Sequence, residues 1–114
     1  MTKIYHNPRC SKSRETLQLL QSKGIEPEII LYLETPPDTA TLKSLLRKLK
    51  LSPRELMRSK EKEYKALGLN DTQLSDEQLI NAMAQTPKLI ERPIVVHGNK
   101  AALGRPPERV LEIL

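Results

Sequence analysis

The chain has 114 residues and a formal net charge of +5, from 19 Lys and Arg against 14 Asp and Glu. This length suits a single domain over residues 1–114 and is too short for two. The sequence contains no apolar run of membrane-span length and no signal-peptide pattern, so we expect a cytoplasmic protein with no membrane contact. Three Tyr and no Phe or Trp leave few platforms for stacking bases, which argues against nucleic acid as a partner.

The segment from Lys3 to Arg14 holds Cys10, the only cysteine of the chain. Residues 3–5 have strand character, the Asn-Pro pair at 7–8 indicates a turn, and a helix pattern then continues to Gly24. Cys10 is therefore predicted at a helix N-terminus, where unpaired N–H groups and the helix dipole favour a thiolate. A lone cysteine is often a small buried hydrophobe, but polar neighbours and a turn position favour a reactive one. It cannot form an intrachain disulfide, so a redox cycle needs an external thiol.

The next segment, residues 28–33, is a continuous apolar run, which predicts a buried central strand parallel to the first. Leucines at helical spacing then predict a helix with Asp38 or Thr39 as its N-cap. Ser52 starts another helix, predicted to include Arg58, and a charged helix follows over residues 60–65. Ser75 opens a further helix that Thr86-Pro87 closes. We thus predict an all-helical insertion over about residues 36–88.

The last part of the chain returns to strand character at residues 93–96, and a turn at 97–100 predicts an antiparallel partner at 101–103. A final helix is predicted with Val110, Leu111 and Leu114 facing inward. The order β-α-β, helices, β-β-α predicts an α/β fold with a small mixed β-sheet flanked by helices and a helical insertion between the second and third strands.

This order, with a cysteine at the start of the first helix and a proline opening the third strand, resembles the thioredoxin fold. The stretch from His6 to Arg14, H-N-P-R-C-S-K-S-R, is similar to the His-x3-Cys-x3-Arg signature of the glutaredoxin-coupled arsenate reductase family. Further blocks resemble that family in the family's own order: Ile30–Glu34, Leu67–Leu69, Arg92–Val96 and Gly104–Pro106.

The resemblance implies reduction of arsenate to arsenite through a cysteine–arsenic adduct. In that chemistry Cys10 is the nucleophile and His6 helps to hold its thiolate. Glutathione is the co-substrate, glutaredoxin is the protein partner, and no metal or tightly bound cofactor is expected. The resemblance also implies that three arginines bind the oxyanion and the adduct and that Pro93 is cis. The arginines are Arg58, Arg92 and Arg105.

The residues favour this chemistry on their own terms, because a thiolate needs fixed cations to approach an arsenate anion. Guanidinium groups stay charged and offer paired donors to paired oxygens. Two supporting residues keep alternative roles. Ser13 either caps the helix or hydrogen-bonds to the Cys10 sulfur, and Arg14 either contacts the anion or pairs with an acidic side chain.

Two departures from the family pattern keep other functions open. Arg9 stands where well-studied arsenate reductases have a small residue, and longer family members continue beyond the position of Leu114. The second hypothesis is another glutathione-linked thiol oxidoreductase on the same scaffold, acting on a mixed disulfide or a different oxyanion. The third is a non-enzymatic regulatory adaptor, although such relatives usually carry Cys-x-x-Cys and Ser13 replaces the second thiol.

Overall fold

The computed structural model describes residues 1–114 and contains one four-stranded sheet. The strands are β1 (Thr2–His6), β2 (Glu28–Leu31), β3 (Ile94–His97) and β4 (Lys100–Leu103). They lie in the order β2-β1-β3-β4. The β1–β2 pair is parallel, whereas β1–β3 and β3–β4 are antiparallel. The sheet is therefore mixed, as predicted.

The helical elements follow the predicted order along the chain. They are α1 (Ser11–Ser22), α2 (Thr39–Leu49), α3 (Pro53–Leu56), α4 (Lys62–Ala66), α5 (Asp76–Gln85) and two 3₁₀ helices, Pro87–Leu89 and Pro107–Ile113. None of these helices combines the length and the apolar character needed to cross a membrane.

The chain divides into two compact units. The first contains the whole sheet and comprises residues 1–35 and 92–114, and the second comprises residues 36–91 and contains α2 to α5. The second unit corresponds closely to the helical insertion expected over about residues 36–88. That residues 1–114 act as a single domain stays a prediction.

Short polar side chains begin the helices of the second unit where the sequence places them. The Asp38 carboxylate accepts a hydrogen bond from the Thr41 N–H at 2.8 Å, which caps α2. Ser52 and Ser75 each form a capping box with the residue three positions later. These caps satisfy N–H groups that a helix start leaves without partners, so the predicted helix starts are confirmed.

The core of the first unit forms on one face of the sheet. Ile4 of β1 lies opposite Val95 of β3, and Val95 lies opposite Ala102 of β4. Leu20 of α1 and Val110 of the second 3₁₀ helix pack on this row, and both are fully buried. Burial of these apolar side chains holds α1 against β1 and so fixes the position of the helix that begins after Cys10.

The prediction of a buried central strand over residues 28–33 was wrong in its placement. Strand β2 is parallel to β1 but lies at the edge of the sheet, ends at Leu31, and leaves Ile29 46% exposed. A continuous apolar run is typical of a central strand because both faces are covered there. Here the run also includes Tyr32, which is buried in the turn after the strand.

The last helix also differs from its prediction. It is a 3₁₀ helix, in which residues three positions apart share a face. Pro107, Val110 and Ile113 therefore face inward, whereas Leu111 and Leu114 are 37% and 42% exposed. The expected inward position of Leu111 and Leu114 was wrong because it assumed the α-helical period.

The helix that starts at Ser52 is shorter than predicted. It ends at Leu56, and Met57 has an extended backbone that forms an isolated bridge with Ile90. Arg58 consequently lies outside the helix, and its N–H donates to the Leu89 carbonyl at 2.7 Å. The sequence pattern missed this change because Met57 and Arg58 are both acceptable helix residues.

The 3₁₀ packing predicts opposite outcomes for two neighbouring substitutions. Val110→Ala should lower the free energy of unfolding by about 2 kcal/mol, because it removes buried methyl groups and leaves a cavity. Leu111→Ala is the matched control and should change it by less than about 1 kcal/mol. Urea denaturation followed by circular dichroism measures both. A larger loss in Leu111→Ala than in Val110→Ala would contradict the 3₁₀ register.

Candidate active site

Three connecting segments meet at one end of the sheet. Tyr5 is the penultimate residue of β1 and lies opposite Ile94, the first residue of β3. Ile94 in turn lies opposite Leu103, the last residue of β4. The segments after β1, before β3 and after β4 therefore leave the sheet together. They carry Cys10, Arg92 and Arg105, respectively.

Cys10 occupies the N-cap position of α1, as predicted, with an extended backbone at φ −96° and ψ 123°. Its N–H donates to the Asn7 carbonyl at 3.0 Å, and its carbonyl accepts from the Arg14 N–H at 3.0 Å. The side chain is 8% exposed, and no side chain caps the helix. The N–H groups of the first turn thus remain available to an anion held beside the sulfur.

Ser13 connects the two ends of the loop that carries Cys10. It is fully buried, and its Oγ lies 2.6 Å from His6 Nδ1 and accepts from the Asn7 N–H at 3.0 Å. Ser13 Oγ and His6 Nδ1 therefore share one hydrogen bond, and the tautomer of the imidazole decides which of the two donates. Neither of the two contacts considered for Ser13, a helix cap or a bond to the sulfur, is present.

His6 is buried at the end of β1, next to this hydroxyl. Burial lowers the pKa of its imidazole below the usual value, and the Arg14 guanidinium lowers it further. The neutral ring is therefore favoured at neutral pH, and His6 makes no hydrogen bond to Cys10. Its observed contribution is to position the loop through Ser13.

Arg14 and Asn7 complete the hydrogen bonds of the loop. The Arg14 guanidinium donates to the Pro8 carbonyl at 2.9 Å, so it meets neither an acidic side chain nor the sulfur. The Asn7 side-chain oxygen accepts from the Arg9 N–H at 3.0 Å. Sequence reasoning treated Asn7 only as a turn signal, although an Asn before Pro is a common acceptor for such backbone bonds.

Arg105 is the side chain that contacts the cysteine. Its Nη1 lies 4.0 Å from Cys10 Sγ and donates to the Arg92 carbonyl at 3.2 Å. The Gly104 N–H donates to the Pro93 carbonyl at 3.0 Å, which joins the two arginine-bearing segments. The Arg92–Pro93 peptide bond is cis, as the resemblance implied. The Arg92 side chain is partly buried, with Nε and Nη1 shielded from solvent.

Gly104 and Thr16 are two positioning residues that the sequence reasoning missed. Thr16 is fully buried, and its hydroxyl lies 2.7 Å from the Lys12 carbonyl and 3.4 Å from the Gly104 carbonyl. A Cβ at position 104 would collide with the Thr16 side chain and lie 2.8 Å from Pro93 Cγ. Glycine therefore allows the Arg105 segment to approach α1. The Gly-Arg-Pro sequence alone indicates a loop but not this close approach.

Arg58 lies in the second unit, where two carboxylates hold it. Its Nη1 pairs with Glu61 at 2.5 Å, and its Nε lies 3.9 Å from Glu91. The side chain is 28% exposed. Its role toward an oxyanion stays a prediction.

The first unit thus brings together seven of the eight predicted site residues, with Arg58 in the other unit. The seven are Cys10, His6, Ser13, Arg14, Arg92, Pro93 and Arg105. No group of three or more His, Cys, Asp or Glu side chains is arranged to hold a metal ion.

A mixed four-stranded sheet, a cysteine before the first helix and a cis-proline before the third strand define a thioredoxin-like protein with a single-thiol site. The chain belongs to the ArsC family, whose family model matches residues 5–113.

Individual relatives match nearly the whole chain. This chain is 66% identical to the uncharacterized protein YfgD of Escherichia coli strain K12, over 98% of this chain and 95% of that protein. It is 53% identical to a protein named arsenate reductase from Haemophilus influenzae, over 97% of both chains. The solved structure of an arsenate reductase from Vibrio cholerae superposes with a TM-score of 0.97 at 60% identity, covering 99% of this chain and 97% of that one.

The buried Ser13 hydroxyl predicts a stability cost that an exposed serine of the same helix does not share. Ser13→Ala should lower the free energy of unfolding by about 1–3 kcal/mol, because the His6 nitrogen and the Asn7 N–H lose their partner. Ser11→Ala changes an exposed residue and serves as the control. Urea unfolding checks both variants. Equal stability of Ser13→Ala and the parent chain would contradict the role assigned to this hydroxyl.

The lowered pKa of His6 predicts a direction of pH dependence. As pH falls below about 6.5, the unfolded chain takes up a proton at His6 that the folded chain resists, so the folded state loses stability. Titration of the His6 ring signals by NMR should give a midpoint below that of His6 in the urea-unfolded chain. A midpoint at or above the unfolded value would contradict the burial of a neutral ring.

Proposed function

We propose that this chain is an arsenate reductase that uses glutathione as co-substrate and glutaredoxin as protein partner to convert arsenate to arsenite. The observation that carries the proposal is the Arg105 guanidinium 4.0 Å from the Cys10 sulfur, beside an uncapped helix N-terminus. Membership of the ArsC family and the arsenate reductase names of two relatives support the substrate.

Electrostatics explains why this arrangement suits a tetrahedral oxyanion. Arsenate and a thiolate repel each other in water, and a fixed guanidinium next to the sulfur offsets that repulsion. The N–H groups of α1 add donors that need no reorganisation when the anion arrives. Arg105 reaches Cys10 while bonded to the Arg92 backbone, so its cation is already oriented.

The proposed chemistry balances with two external thiols. The Cys10 thiolate forms a sulfur–arsenic bond and an arsenate oxygen leaves as water. Glutathione adds its sulfur to arsenic, and a second water leaves. A glutaredoxin thiolate then attacks the glutathione sulfur and forms a disulfide with it. The bond between the glutathione sulfur and arsenic breaks, and its electron pair reduces arsenic(V) to arsenic(III). Water finally releases arsenite and restores the Cys10 thiol. The two electrons come from the two external thiols.

The remaining predicted residues take supporting parts in this proposal. Arg92 supplies a further guanidinium group for the oxyanion and the arsenic adduct, and the same role of Arg58 stays a prediction. His6, Ser13 and Arg14 hold the loop that presents Cys10. The cycle needs no metal or tightly bound cofactor, because thiols supply the electrons. It needs reduced glutathione, which suits the cytoplasm.

A coupled assay tests the proposal by following NADPH oxidation with arsenate, glutathione, glutathione reductase and glutaredoxin. The parent chain should show an arsenate-dependent rate, and Cys10→Ser should abolish it. Arg105→Lys should lower kcat/KM for arsenate at least about tenfold, because lysine keeps the charge but loses the fork of donors. Arg109→Lys changes an exposed arginine away from the site and is the matched control.

The same assay separates this proposal from a second one. No arsenate-dependent rate, or an unchanged rate in Cys10→Ser, would exclude arsenate reduction by this site. Arg9 favours the alternative of a glutathione-linked thiol oxidoreductase with another substrate, since it places an exposed cation directly before Cys10. In that case arsenate at millimolar concentration fails to protect Cys10 from alkylation, while a glutathionylated substrate is turned over.

A further inference from the structure

A groove of about 420 Å³ lies between α1 and the second 3₁₀ helix of the first unit. Its α1 side is formed by Lys12, Glu15, Gln18 and Leu19, which share one face of the helix. The opposite side begins at Pro106 and continues to Glu108. None of the interactions of the Cys10 loop uses this groove.

One end of the groove lies close to the cysteine. Lys12 is in the first turn of α1, two residues after Cys10. On the other side, Pro106 directly follows Arg105, whose guanidinium contacts the Cys10 sulfur. A molecule bound along the groove therefore has one end beside the reacting sulfur.

The dimensions of the groove fit a small peptide. Along α1 the distance from Lys12 to Leu19 is about 10 Å, at 1.5 Å per residue. An extended tripeptide has about the same length. The volume of about 420 Å³ lies within the usual range of small-ligand sites, so the groove accommodates much of a tripeptide but not a folded protein surface.

The charges along the groove define the kind of peptide. Glu15 and Glu108 provide two carboxylates, and Lys12 provides one ammonium. Lys12 and Glu15 form a 3.6 Å ion pair in which both side chains remain about half exposed, so the pair is weak and its groups remain accessible to a ligand. A free α-amino group and its neighbouring α-carboxylate are the complement of these three charges.

We propose that this groove binds the γ-glutamyl arm of glutathione, with its ammonium at Glu15 and Glu108 and its α-carboxylate at Lys12. The inference rests on the proposed function, which requires glutathione to reach an adduct on Cys10. Lys12 and Glu15 lie at the end of the groove nearest Cys10, so a γ-glutamyl arm held there leaves the cysteinyl thiol of the adjacent residue beside the Cys10 sulfur. Arsenate binding uses the arginines instead, so the two ligands occupy separate parts of the site.

The direct test is NMR titration of the full chain with two non-reactive thioethers. S-methylglutathione should shift the amide signals of the groove residues, with Gln18 and Glu108 as reporters. S-methylcysteinylglycine, which lacks the γ-glutamyl arm, should bind at least about tenfold more weakly, because it loses charge-assisted hydrogen bonds. The proposal would be overturned if S-methylglutathione did not shift the amide signals of the groove residues, or if both thioethers bound with equal affinity.

Substitutions test the assigned charges. Glu108→Gln should weaken S-methylglutathione binding about tenfold and leave binding of the dipeptide thioether unchanged. Glu112→Gln alters an exposed carboxylate of the same 3₁₀ helix outside the groove and should have no effect. Glu15→Gln is a second test from the other side of the groove. Parent-like affinity in both Glu108→Gln and Glu15→Gln would overturn the assignment.

Kinetics separates this inference from the proposed function. If arsenate is reduced, Glu108→Gln should raise KM for glutathione about tenfold without changing KM for arsenate. If Glu108→Gln reduces arsenate with an unchanged KM for glutathione, the groove is not the glutathione site, and the proposed function is unaffected. Selective binding of S-methylglutathione without any arsenate reduction would reject the function and support the groove as a site for a γ-glutamyl thiol.

Discussion

The geometry of the site depends on one buried hydroxyl. Ser13 accepts the Asn7 N–H and bonds with His6, so the end of β1 and the first turn of α1 are tied together across the loop that holds Cys10. A loop of this length has many conformations in the unfolded chain, and fixing it costs conformational entropy. The buried hydrogen bonds help to offset that cost, because a buried donor or acceptor left without a partner carries a large free-energy penalty.

Strand pairing then brings distant segments to this loop. The antiparallel pairing of β1 with β3 and of β3 with β4 places the residues before Ile94 and after Leu103 at the end of the sheet where β1 ends. Gly104 allows the close approach to Thr16, and Arg105 can then reach the Cys10 sulfur. A separation of 95 residues in sequence becomes a direct contact through two strand pairings.

Local signals made part of this arrangement predictable. A strand, an Asn-Pro turn and a helix pattern are sufficient to place Cys10 before α1, since each is encoded by adjacent residues. The errors arose where tertiary packing decides. An apolar run could not show that β2 lies at the edge, and apolar spacing could not distinguish a 3₁₀ from an α-helical period around Val110. The contacts of Ser13 and Arg14 depend on the directions of their side chains at a turn. A periodic sequence pattern does not predict those directions.

The single cysteine places a constraint on the surface around it. A chain with two thiols can close its own disulfide, whereas the proposed cycle requires this one to admit an external sulfur to Cys10. A fully enclosed site would protect the thiolate but exclude that second reactant. The structure combines a nearly buried sulfur with an exposed Arg105 and an open groove beginning at Lys12. In the proposed cycle, stabilising the anion at the sulfur and admitting the reductant are thus tasks of different sides of the same helix start.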